Sequence, residues 1–191
     1  MRALVLAVAL FGAAAWAEPW EFDPGHSSAR FAVRHLTVAD VNGTLGEVTG
    51  KVELDAADLT RSSVEVRIDA RAVDTKNLKR DAHLRSKDFF DVRKFPAVTF
   101  KSTKVEKDGE GLKVTGELTI RGVTQTVELQ AKVSEPVVNP FDKEVTRGVR
   151  ATAVLKRSAF GLSWNAVVEK GFVVDDEVRV TIDAELRRRA G

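Results

Sequence analysis

Cysteine and tyrosine are both missing from the 191 residues, and there are only one methionine and five prolines. Without cysteine there is no disulfide framework, no thiolate metal site and no cysteine nucleophile. Charge of one sign is lacking too: 30 Lys and Arg stand against 28 Asp and Glu, a formal net charge of +2. That balance argues against a nucleic-acid surface or a polybasic membrane surface, where positive charge accumulates. Apolar residues make up 43% and charged residues 30%, a globular balance without collagen-like or low-complexity bias. The aromatics are ten Phe and three Trp, so they fill apolar space and offer almost no hydroxyl.

Long hydrophobic runs are scarce as well. The clearest is Ala3 to Ala15, and its 13 residues fall short of the roughly 20 that span a bilayer. Arg2 precedes it and Ala15-Trp16-Ala17 follows as an A-x-A site. The segment therefore reads as a secretory signal, 1–17, cleaved after Ala17. No cysteine follows that site, which excludes a bacterial lipoprotein. The expected mature chain, 18–191, is one domain without a transmembrane segment, located in the periplasm or secreted. At this size a domain buries about 70% of its unfolded surface, enough to be stable without disulfides.

Within that stretch the dominant period is two. Val64, Val66, Ile68 and Ala70 alternate with charged residues, and Leu112, Val114, Leu118 and Ile120 with charged residues and threonines. Val127, Leu129, Ala131 and Val133 form a third apolar file, and Val178, Val180, Ile182, Ala184 and Leu186 a fourth. Shorter versions lie at 28–35, 46–54, 98–104 and 149–155. Eight strands follow, each with a dry and a wet face. Asp108-Gly109, Arg121-Gly122 and Asn139-Pro140 mark turns short enough for antiparallel neighbours. A short helix is expected over 77–86, capped by Asp74 or Thr75, with Leu78 and Ala82 on one side. Eight alternating strands fit either a two-sheet sandwich or a closed barrel holding one small ligand. Long strands with modest inward side chains favour the barrel. Gly43, Gly46 and Gly50 read as bends or bulges that let a strand curve.

Two aromatic blocks stand out. Lys87 to Phe100 carries four phenylalanines, and Arg157 to Trp164 carries Phe160 and Trp164 around Gly161. The first reads equally as a plug closing a barrel end or as the wall of an apolar cavity, and the second first as a lid or corner packed on the barrel, with cavity lining as the alternative. The three histidines, His26, His35 and His83, have no metal-ligand spacing, so no metal or other cofactor is expected. Asp81 and His83 have the residue types of a general base and its orienting carboxylate, or of a buried network pinning the helix. No nucleophile elbow or phosphate-binding glycine loop is present, and no catalytic residue is assigned.

Five blocks in order resemble the YceI-like family of exported bacterial proteins: DPGHSSARFAVRH (23–35), VNGTLGEVTGKVELD (41–55), DAHLRSKDFFDVRKFPAVTF (81–100), GELTIRGVTQTVEL (116–129) and RSAFGLSW (157–164). The resemblance implies a lipocalin-like, eight-stranded antiparallel barrel around an apolar channel for an isoprenoid chain. The expected function is binding or carriage of a polyprenyl phosphate or isoprenoid quinone. The alternatives are a small-substrate enzyme using Asp81 and His83, or a ligand-free sandwich for adhesion or assembly. The expected channel residues are Phe31, Val33, Leu45, Phe89, Phe90, Phe95, Phe100, Leu118, Ile120, Phe160, Leu162 and Trp164. The family's pattern points to Arg34, His35, Asp81 and His83 at a polar mouth. The expected partner is an isoprenoid lipid, not nucleic acid, and a homodimer stays open. At about 0.3 kcal/mol per heavy atom, a chain of about 40 carbons gains about 12 kcal/mol, a nanomolar affinity.

Overall fold

The computed structural model describes residues 17–168 and 171–188. The expected signal segment lies outside the described residues except for Ala17. Thirteen strands and one helix follow in order: β1 (Glu18–Phe22), β2 (Ser28–His35), β3 (Ala39–Thr44), β4 (Val48–Leu54), β5 (Ser63–Asp69), α1 (Leu78–Arg85), β6 (Ala97–Asp108), β7 (Gly111–Ile120), β8 (Val123–Val133), β9 (Val137–Val138), β10 (Val145–Lys156), β11 (Val167–Val168), β12 (Gly171–Phe172) and β13 (Val174–Arg188).

The alternation closes on itself. From β4 each strand pairs antiparallel with the next through β8, β8 pairs with β10, and β10 pairs with β13 from Val145↔Arg188 to Lys156↔Glu177. The other edge of β13 is shared: β2 takes Val174 to Asp183, and β1 takes Leu186 and Arg187. β2 leads into β3 and β1 pairs with β4. Counting β1 with β2, and β3 with β4, as two interrupted strands gives a closed antiparallel barrel of eight, and the sandwich alternative falls. The interruption at Leu45 and Gly46 is a change of partner: Leu45 N–H donates to Ala29 O at 2.9 Å, then Gly46 N–H to Asp69 O at 2.8 Å.

Besides the two-residue strands β9, β11 and β12, alternation does not announce β1 and β3. Glu18–Phe22 carries Pro19, and Ala39–Thr44 reads as turn chemistry around Asn42-Gly43. Their ladder partners, rather than their own periodicity, make them strands. The Arg121-Gly122 turn behaves as expected, with φ of 52° and 75° at its two residues, the geometry that matches hairpin twist.

At the lower end, where β1 meets β4 and β13 finishes, Trp20, Val52, Leu54 and Leu186 fill the interior. At the upper end the barrel is covered by α1 with the loop after it, and by the chain from Arg157 to Trp164 together with Val173. The helix differs from expectation in its cap and its face. Asn77 is the cap, accepting from Arg80 N–H at 3.0 Å. Leu78 is 86% exposed and Ala82 also faces solvent, whereas Asp81 is 4% exposed. An eight-residue helix has one inward turn, and here it presents Asp81, His83 and Leu84 rather than the two apolar residues of the outer side.

Candidate functional site

The upper half of the barrel holds a cavity of about 590 Å³, within the range of small-molecule sites. The period-two files build it. Phe31, Val33 and His35 face inward from β2, Val66 and Ile68 from β5, Val98 and Phe100 from β6. Leu118 and Ile120 of β7, Leu129 of β8, Ala153 and Leu155 of β10, and Val178, Val180 and Ile182 of β13 complete the wall. Gly43 of β3 is required by one of these rings: a Cβ there would overlap Phe31. Gly116 plays the same part on β7, where a Cβ would come within 2.5 Å of the Phe100 ring.

Both aromatic blocks reach the cavity from above. Phe89 and Phe90 turn into it because the chain after α1 folds back, with Phe90 N–H donating to Leu84 O at 3.0 Å and Val92 N–H to Arg85 O at 3.2 Å. Phe160, on the 3-10 turn Arg157–Phe160, is 2% exposed and lines the cavity with Leu162 and Trp164. The His83 ring meets Phe89 and Trp164 edge-on, with centroids at 5.0 and 4.7 Å, so the two blocks touch through it. Plug and wall are one set of residues.

Eleven of the twelve expected channel residues line the cavity. Phe95 does not. It precedes β6 in a turn closed by Phe95 N–H to Asp91 O, and its ring lies against Gly122 outside the barrel, under Lys94 Nζ at 5.1 Å. Of the four expected mouth residues, His35 and His83 line the cavity and Arg34 and Asp81 do not. Arg34 falls between Val33 and His35, so strand alternation turns it outward to Asp40 at 3.2 Å.

Asp81 accepts from Thr75 N–H at 2.8 Å and from Thr75 Oγ1 at 2.5 Å. The Thr75 hydroxyl holds the Asp81 carboxyl below its ordinary value against the opposing effect of burial. His83 Nε2 instead meets Asp88 Oδ2 at 3.1 Å. Asp81 and His83 therefore do not form an acid–base pair. Asp81 pins the helix, with Arg80 donating to Thr75 Oγ1 and O, and Arg85 to Val73 O.

Arg157 was not expected. It is 8% exposed, lines the cavity, and donates to Asp175 O, Leu162 O and Trp164 O at 2.8, 2.5 and 2.8 Å, with Val174 O at 3.3 Å. Burial pushes this guanidinium below its ordinary value, opposed by the charges of Asp176 and Asp175. One cation thus ties the upper cover to the start of β13. Its only signal in the sequence is its place at the head of the second aromatic block.

Arg80, Lys79 and Asn77 also line the cavity, at its upper side beside His35 and His83. The arrangement is an apolar interior with His35, Asn77, Lys79, Arg80 and His83 gathered at the upper side, while Arg30 lower on β2 also touches the lining and pairs with Asp183. Among the described residues, one group of three metal-capable side chains occurs, Asp23, His26 and Glu185, and none of the three lines this cavity.

Comparison with known proteins agrees with this architecture. A family model described as YceI-like domain matches residues 20–186. A UPF0312 protein of Ectopseudomonas mendocina is 36% identical over 166 residues, covering 85% of this chain and 86% of that one. Among solved structures, Burkholderia cenocepacia BcnA superposes with a TM-score of 0.75 at 24% identity, over 86% of this chain and 98% of that one. A polyisoprenoid binding domain from Saccharophagus degradans, implicated in plant cell wall breakdown, superposes with a TM-score of 0.61 at 16% identity, over 88% and 97%.

Proposed function

The chain belongs to the YceI-like family, and from that premise we propose that it binds an isoprenoid lipid in the upper half of its barrel. The observation that carries the reading is the cavity of about 590 Å³ walled by aliphatic and phenyl side chains from both sheet and cover. Such a wall offers no directional bonds, which suits a hydrocarbon tail, where each buried CH₂ gains about 0.8 kcal/mol. The polyisoprenoid binding domain that shares this fold supports the same ligand class.

Head-group recognition falls to the polar end. Arg80 uses Nε and Nη2 on Thr75, and it lines the cavity together with Lys79, His35 and His83. Those donors suit a phosphate or a quinone oxygen. The protein acts as an exported carrier or store, cleaved after Ala17 and working in the periplasm or outside the cell.

Binding is tested by titrating delipidated protein with a polyprenyl phosphate and with an isoprenoid quinone while following tryptophan emission. Trp164 lines the cavity, so an occupied site changes its emission at stoichiometric ligand. Lack of any saturable change with both lipids contradicts the proposal.

A further inference from the structure

The rim of the cavity is greasy on its outer side as well. Leu36 and Val38 in the β2–β3 turn, Leu78 at the start of α1, and Val167 and Phe172 of the β11–β12 pair are all exposed. They come from three separate parts of the chain and meet at one end. Leu36 N–H donates to Val173 O at 3.0 Å, joining the first turn to the last, and Leu78 lies between Asn77 and Lys79, which line the same cavity as His35 and Val173.

The β2–β3 turn presents its side chains under strain. It is closed by Val38 N–H to His35 O at 3.1 Å, and Leu36 and Thr37 have φ of 48° and 63°. Asn and Gly are the residues that suit such a turn. A leucine held there, half out of water, costs stability on two counts, which points to use rather than packing.

Charge separates this end from the other. Between Lys76 and Lys94 there are seven Lys or Arg against three Asp and no Glu. A net charge of +2 over the whole chain conceals this concentration. The lower end also exposes apolar side chains, Val137, Val138 and Phe141, the last 94% exposed, but there Glu135, Asp142 and Glu144 outnumber Lys143 and Arg147. An anionic surface therefore favours the first patch over the second.

We propose that the upper rim docks on a bilayer containing anionic lipid, with Leu36, Val38, Leu78, Val167 and Phe172 entering the interface and the basic α1 region facing the headgroups. Exposed apolar tips backed by Lys and Arg are the physical requirement for such shallow binding. Docked in this way, the mouth opens onto the membrane, and an insoluble chain passes between bilayer and cavity without crossing water. This rests on the lipid-binding reading of the cavity.

The test is flotation with vesicles of phosphatidylcholine alone and of phosphatidylcholine mixed with phosphatidylglycerol. Wild-type protein is expected to float with the mixed vesicles, weakly or not at all with the neutral ones, and less as salt rises. The double variant Leu78→Asp/Phe172→Asp is expected to bind at least tenfold more weakly, and Lys79→Glu to lose binding independently. Phe141→Asp, at the opposite end, is expected to float as wild type does. Thermal melts of each variant show that it is folded.

Absence of flotation with mixed vesicles overturns the proposal. So does equal binding to both vesicle types, full binding by the folded double variant, or a matching loss in Phe141→Asp. The lipid titration is a separate readout: protein that takes up prenyl lipid but ignores vesicles refutes docking alone, and protein that floats but never takes up prenyl lipid refutes the cavity reading.

Discussion

Two charged residues inside the upper cover do work that hydrophobic packing cannot. Arg157 reaches four carbonyls, two in the cover and two at the start of β13, with no carboxylate of the described residues directly on its guanidinium. Arg157→Met removes those donors while keeping most of the side-chain bulk. The expected cost is about 3 kcal/mol, the scale of breaking a buried charged network, read from a urea unfolding midpoint. Asp81 is the counterpart under α1. Asp81→Ala leaves the Thr75 amide without its acceptor and is expected to cost about 2 kcal/mol in the same assay.

The ionisation of Asp81 also gives a pH dependence with a definite sign. Its folded pKa lies below the ordinary 3.8 because Thr75 donates to the ionised form. The resulting stability is complete above that ordinary value and is lost as pH falls through the lower folded value. Asp81→Asn is therefore expected to be less stable than wild type near neutrality, with the gap narrowing in acid. A gap that widens below pH 3.8 contradicts the assignment.

At the level of elements, the alternating strands announced themselves while β1 and β3 did not, and the helix announced its span but not its cap or its face. Phe31, Leu118 and Leu155 were assignable to the interior because period-two alternation in a closed sheet leaves only two faces. Arg34, placed at the mouth by resemblance, is turned outward by that same alternation. The helix is too short for its periodicity to decide. Its inward turn is set by what Asp81, Leu84 and His83 meet from Thr75, the cavity and Asp88. Leu78→Gln is accordingly expected to shift stability by less than about 0.5 kcal/mol, as an exposed change does. A loss of several times that amount in a thermal melt would mean that Leu78 packs inward after all. Gly43→Ala carries the opposite expectation. Its methyl would overlap Phe31, and the folded state should lose about 1–3 kcal/mol as the ring is forced aside.

For the whole molecule, the division of the barrel is what matters. The lower half is filled by Trp20 and its neighbours, and the upper half is left hollow under a cover of Phe89, Phe90, Phe160 and Trp164. Composition hinted at this, since a chain with ten Phe and no Tyr builds an interior with little to hydrogen-bond. The sequence could not say whether the aromatic blocks sealed a solid core or roofed a cavity, because that depends on the spacing of the strands beneath them. Arg157 escaped notice for a related reason: its partners are backbone carbonyls, which carry no residue identity. Filling the hollow separates fold from function. Ala153→Phe puts a ring into the cavity from β10, and is expected to keep the barrel's far-UV spectrum while abolishing uptake of prenyl lipid.

The central claim is that this hollow is a lipid site, and solvent extraction of the detergent-free purified protein followed by mass spectrometry tests it most directly. Wild-type protein is predicted to yield an isoprenoid lipid near one per chain, and Ala153→Phe prepared in parallel to yield almost none. Wild-type protein that is repeatedly empty and refuses added prenyl lipids, or an equal yield from the filled variant, would contradict it.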